Sequence, residues 1–148
     1  MKCVINDVDE NMNITSWSDA IELASSKLYE KGYVDKKFAE HCIEREKIYP
    51  TGLDTEFPVA IPHTEAEYVN ETSISVLRLK SPVVFKSMAE PEKDVLVHYV
   101  FNLAIKGKKE QVVFLAKVIR LVQDSTKLKE MFDIDRNSFN QIFEKMVT

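Results

Sequence analysis

Three histidines, His41, His63 and His98, supply the side chains whose unperturbed titration lies nearest neutral pH. His63 stands in the most constrained setting. It follows Pro62 at the end of the apolar run Val59-Ala60-Ile61, downstream of a turn-rich stretch holding Pro50, Thr51, Gly52 and Asp54. Pro62 fixes its own φ and pushes Ile61 to extended backbone. The imidazole is therefore presented rigidly at a strand end, where α/β sheets collect ligands. A neutral ring there has a nitrogen free to act as a nucleophile. Phosphoryl transfer needs little more than such a nucleophile held in line, with donors and cations for the spread negative charge. Thr64 offers a hydroxyl and a backbone N–H, and Arg45 offers a guanidinium fork suited to phosphate. On spacing alone, a turn histidine at 63 and a solvated helix charge at 45 are the commoner uses of these residues.

The other candidates carry plainer readings. His98 interrupts the most apolar stretch and reads as a satisfied sheet-face histidine. Asn102, four residues on, shares its face by period-2 alternation. His41 lies four residues before Arg45, on the same helix face, and reads as a solvated or pocket-rim position. Glu65 and Glu67 read as solvated loop charges. Cys3 and Cys42 are far apart, without metal-like spacing, and are expected to be reduced thiols of a cytosolic protein. No metal or cofactor is expected.

The 148 residues fit one domain, 1–148, and the 45% apolar and 30% charged fractions argue for a globular chain. A formal net charge of -4, with lysines and arginines scattered, gives no nucleic-acid footprint. No apolar run is long enough for a membrane span, and the first residues turn acidic too early for a secretion signal.

The elements that must position His63 follow from periodicity. Cys3–Ile5 predicts a short strand. Helical spacing over 17–31 puts Trp17, Ala20, Ile21, Ala24 and Leu28 on one face, with Ser16 or Ser18 as cap and Gly32 as stop. Asp35 can cap a second helix to about Ile48, with Phe38, Ala39, Cys42 and Ile43 inward. Residues 59–61, 74–79, 83–85 and 95–105 predict strands, the last a central one buried on both faces. Helices follow over 108–122, 126–133 and 136–147, with Ser125 and Asp135 as caps for the last two. Two helices precede most of the strands, so the pattern predicts an α/β mixed sheet of about five strands flanked by helices.

The compound pattern Arg45-Glu46-x-x-Tyr49-Pro50-Thr51-Gly52-Leu53, followed by Ala60-Ile61-Pro62-His63-Thr64, resembles the active-site signature of enzyme IIA domains of the bacterial sugar phosphotransferase system, in the fructose–mannitol class. The register extends from about Ala20 to Met146, and the wording is most similar to the galactitol-type proteins. The resemblance implies a phosphotransferase/anion-transport-protein-like fold and a phosphohistidine at His63. That histidine would take phosphate from HPr and pass it to a IIB component, and so to the membrane component IIC, for the uptake of a sugar such as galactitol. It implies a phosphate-steadying role for Arg45 and a donor role for Thr64. Mannitol-branch members carry a second histidine at the start of the helix after the long strand. Gln111 stands nearest that position here, with Glu110 the alternative, and glutamine can donate a hydrogen bond but not relay a proton. A regulatory phosphoacceptor reporting to a non-transport target is the alternative function. Phe57, Tyr49 and Tyr68 are the expected rim of the docking patch for HPr.

Overall fold

The structure, a computed structural model, describes residues 2–147, and the side chains at 108, 110 and 111 lie outside that description. Five strands run β1 (Lys2–Val8), β2 (Gly52–Leu53), β3 (Val59–Ala60), β4 (Ser73–Lys86) and β5 (Asp94–Ala104). They form one sheet in the order β1-β4-β5-β3-β2. β1 is parallel to β4 and β3 to β5, while β4–β5 and β2–β3 are antiparallel, so the sheet is mixed as expected.

Helices α1 (Trp17–Glu30) and α2 (Phe38–Ile48) accompany the core cluster on one face. Helices α3 (Lys108–Gln123), α4 (Ser125–Met131) and α5 (Arg136–Val147) cover the other. Ser16 is the cap of α1, accepting from the Asp19 N–H at 3.1 Å. At its far end Gly32 takes φ 77°. The N–H groups of Gly32 and Tyr33 return to the carbonyls of Tyr29 and Leu28, the paired closure that a left-handed residue allows. Ala20, Ile21, Ala24 and Leu28 are fully buried, as their spacing predicts.

Three expectations about boundaries are corrected. Asp35 receives the Lys37 and Phe38 N–H groups in a turn, and α2 starts only at Phe38. Asp124 rather than Ser125 caps α4, accepting from Lys127 N–H at 3.1 Å, while Asp135 caps α5 as predicted. The segments 74–79 and 83–85 are one strand. Lys80-Ser81-Pro82 bulges out between them, so that Arg78 faces Tyr99 while Val83 faces Val97. A bulge admits the proline, which has no N–H for the ladder.

That bulge also reverses a facing argument. Val95 and Val97 face the α1–α2 cluster, but beyond the slip Val100 and Ala104 do, with Tyr99, Phe101 and Leu103 turned to the α3–α5 side. Simple alternation from residue 98 to residue 102 therefore fails. Asn102 points toward Ser25 and Cys42, whereas His98 stacks on Phe57 and meets the edge of Phe132.

Candidate active site

The chain reaches His63 by a route tied to both neighbouring segments. After β3, the Ile61 N–H bonds to the Thr51 carbonyl at 3.3 Å, and the Pro62 carbonyl accepts from the Leu103 N–H at 3.0 Å. His63 then makes a single parallel bridge with Leu103. Pro62 has no donor to extend the ladder, so β3 ends and the backbone presents the next side chain at the sheet's edge.

The His63 ring is fixed by its own segment. Nδ1 lies 2.9 Å from the Ile61 carbonyl oxygen. A carbonyl can only accept, so Nδ1 carries the proton and Nε2 holds the free lone pair. The ring's pKa is lowered below the ordinary value, by burial first and also by the nearby Arg45 charge; the Ile61 bond and Glu65 act the other way. A neutral ring with Nε2 unprotonated is the form that can attack phosphorus. Its surroundings form a pocket of about 310 Å³ lined by Arg45, His63, Thr64, Glu65, Ala66, Leu103 and Ile105.

A second layer holds the Pro62–His63 peptide. Asn102 is fully buried, and its Nδ2 donates to the Pro62 carbonyl at 3.1 Å. Its Oδ1 accepts from the Ser25 hydroxyl at 2.7 Å, which fixes the amide's orientation. Cys42 lies beneath it, 3.7 Å from Nδ2. Burial pushes that thiol up to about 12, so it stays protonated and acts as packing.

Glu46 braces the same region from α2. Its carboxylate accepts the Thr51 N–H at 2.7 Å and the Thr51 hydroxyl at 2.8 Å while the residue is buried. Thr51 in turn receives Ile61, so Glu46 holds the loop against which the histidine strand is laid. Gly52 belongs to this joint. A Cβ there would sit 2.6 Å from the Lys86 carbonyl oxygen, so only glycine permits the close pass of β2 along the end of β4.

Arg45 lies at the pocket wall, with its guanidinium 5.2 Å from the centre of the Tyr49 ring. Its NH1 donates to Glu65 at 3.3 Å, and the Thr64 hydroxyl donates to the other Glu65 oxygen at 2.7 Å. Glu65 is thus the solvated loop charge expected, and it is also engaged with two donors. Gln111 falls on α3, and its side chain lies outside the described residues. His41 stacks on Tyr68 with ring centres 4.0 Å apart. His98 lies near the middle of β5, about 16 Å along the strand from Leu103 at the usual rise, and Phe57 stacks on it, so neither borders His63. The proposed docking rim therefore loses Phe57. Ser25 has no counterpart in the sequence reading, because a buried hydroxyl leaves no periodic or compositional signal, and Thr51 enters that reading only as part of the turn pattern.

Residues 3–146 match the model for the EIIA 2 family of the phosphoenolpyruvate-dependent sugar phosphotransferase system. The chain belongs to that family. It is 25% identical over 141 residues to the galactitol-specific EIIA component of Escherichia coli K12, covering 95% of this chain and 93% of that protein. It is 38% identical over 86 residues to the transcriptional regulator ManR of Bacillus subtilis, covering 58% of this chain but only 12% of the regulator. In fold it is similar to a chain from the Escherichia coli complex of enzyme IIAMTL and phosphorylated enzyme IIBMTL. The TM-score is 0.65 at 20% identity, covering 89% of this chain and 88% of that one. This IIA component is a phosphocarrier of its system. No helix among the described residues is long and apolar enough to cross a membrane.

Proposed function

We propose that His63 is the residue that carries the phosphoryl group, taking it from HPr in the cytosol and passing it to a IIB partner for sugar uptake. The observation that carries this reading is the Nδ1 bond to the Ile61 carbonyl, which leaves Nε2 as the nucleophile. In the transfer the Nε2 lone pair forms a bond to phosphorus as the bond from phosphorus to the donor's ring nitrogen breaks. The bonding electrons stay with the donor. Nε2 has no proton to lose, and the positive charge that develops on the ring is shared with the Ile61 carbonyl through the Nδ1 proton. Arg45 and the Thr64 hydroxyl are the donors for the phosphoryl oxygens. Gln111 is a further donor in this reading. Galactitol is a candidate sugar, because the chain is similar to a galactitol-specific EIIA component over 95% of its own length and 93% of that protein's.

The test is phosphotransfer from labelled phospho-HPr. The wild-type chain acquires an acid-labile, alkali-stable label, and His63→Ala acquires none. Label that survives in His63→Ala would overturn the assignment. Arg45→Ala is expected to slow labelling on the order of a hundredfold, as loss of one charge-stabilising donor typically does.

A regulatory use of the same phosphohistidine is favoured by one observation, the 38% identity to a segment of ManR. Chasing the label from this chain onto IIB proteins separates the two. Transport requires the label to leave for a IIB partner.

A further inference from the structure

We propose that Glu65 is a built-in competitor for the phosphoryl site: its carboxylate occupies Arg45 and Thr64 in the unphosphorylated chain and must release them when His63 carries phosphate. The inference rests on His63 being the phosphoacceptor. It concerns what sets the strength with which that group is held.

The geometry is specific. One carboxylate spans both donors, Oε1 receiving Arg45 NH1 at 3.3 Å and Oε2 receiving the Thr64 hydroxyl at 2.7 Å. A carboxylate and a phosphoryl group present the same hydrogen-bonding face, planar or pyramidal oxygens that only accept, so they compete for the same donors. Arg45 is not saturated by this contact. Its Nε is buried and has no hydrogen-bond partner among the described residues, although a buried N–H on a charged group is costly to leave unmet. Glu65 borders the His63 pocket with both donors, which places its negative charge beside any dianion on Nε2. The Thr64 bond is the first of the causes that lower the pKa of Glu65 below the ordinary carboxylate value.

The consequence is a tuned affinity. Arg45 and Thr64 attract the phosphoryl group, while Glu65 must be displaced from both and then repels it. Net attraction is smaller than the two donors alone would give. For a carrier that receives a group and then surrenders it, weaker holding favours onward transfer. A rim ion pair with no such role would have the same contacts but no effect on the transfer equilibrium.

Glu65→Gln tests this, because it keeps size and exposure but removes the charge. Two measurements separate this inference from the reading beneath it. The first titrates inorganic phosphate into the unphosphorylated chain, followed by NMR of the His63 ring and the Arg45 Nε–H. Glu65→Gln is expected to bind about three- to fivefold tighter than wild type, the span of a partly exposed charge pair. Arg45→Ala is expected to abolish the response. The second measures the equilibrium between phospho-HPr and the chain, which should move toward phosphorylated protein by a similar factor in Glu65→Gln. Tighter phosphate binding in a chain that HPr never labels would overturn the phosphoacceptor reading and leave the competition standing. Normal labelling with phosphate affinity and transfer equilibrium both unchanged in Glu65→Gln would overturn the competition alone.

Discussion

The two faces of the sheet are braced by different chemistry. On the α3–α5 face the core is aromatic: Tyr99 stacks on Phe101, Phe101 on Phe143, and Phe143 on Phe139, with ring centres 5.3 to 5.9 Å apart. On the α1–α2 face a polar tract runs under the histidine strand, from Ser25 through Asn102 to Pro62 and from Glu46 through Thr51 to Ile61. Apolar packing is strong but non-directional, whereas a hydrogen bond fixes an atom along a line. Both faces carry a buried apolar core, and the α1–α2 face adds to it the hydrogen bonds that place the histidine strand.

The largest expected effect belongs to the aromatic face. Phe143→Ala removes a fully buried ring and is expected to cost about 3–5 kcal/mol of stability, measured by urea unfolding. The fraction that remains folded should still take label from phospho-HPr at the wild-type rate. A labelling rate that falls with it would show that the two faces are not separable.

Asn102→Asp should do the reverse. The buried Nδ2 that donates to the Pro62 carbonyl becomes a carboxylate oxygen facing another acceptor, while the Leu103 N–H still holds that carbonyl. Stability should fall by about 1–3 kcal/mol, the usual cost of a buried polar group left unmatched. Labelling of the folded protein should fall about tenfold, because the peptide ahead of His63 loses its alignment. Unchanged labelling in a destabilised protein would reduce Asn102 to a core residue.

Part of this division was legible in the sequence. The helices announced themselves by 3.6-residue spacing, and β5 by an apolar run that only His98 and Asn102 interrupt. His63 and Arg45 stood out only through the compound pattern around the Pro50-Thr51-Gly52 turn, since either alone has a plainer use. What could not be read was tertiary. The Lys80-Ser81-Pro82 bulge looks like a loop until β5 is laid beside it, and its slip is what separates His98 from Asn102. Glu46 looks like one more charge in a charged helix, because nothing local shows that Thr51 folds back onto it.

The polar face should also make stability depend on pH from both sides. His63 has a folded pKa below its unfolded value, so its contribution is present above about 6.5 and is lost as pH falls through the folded pKa. Burial raises Glu46 to about 7, against the pull of its two Thr51 bonds. A group raised in this way contributes fully below its unfolded pKa, and that contribution is lost as pH rises through about 7. Glu46→Gln should therefore flatten the alkaline side of the stability curve and leave the acid side intact. The labelling rate has its own acid limb, where Nε2 takes a proton. Arg45→Ala should move that limb to higher pH, since the guanidinium is one of the causes holding the ring's pKa down.

The smallest effect should come from His98→Ala, and it sharpens the contrast most. His98 lies within β5 and His63 bridges to it at Leu103, and burial lowers the pKa of both. His98, however, lies flat on Phe57 with ring centres 5.0 Å apart, in a setting where its shift has no cause other than burial. Losing that stack should cost about 1 kcal/mol and leave labelling, transfer equilibrium and acid limb where they were. A depressed pKa is thus common to both rings. What sets His63 apart is a ring nitrogen held by the Ile61 carbonyl with a cation and a hydroxyl at the same pocket, the features on which its proposed role as nucleophile rests, and a labelling defect in His98→Ala would show that this distinction is wrong.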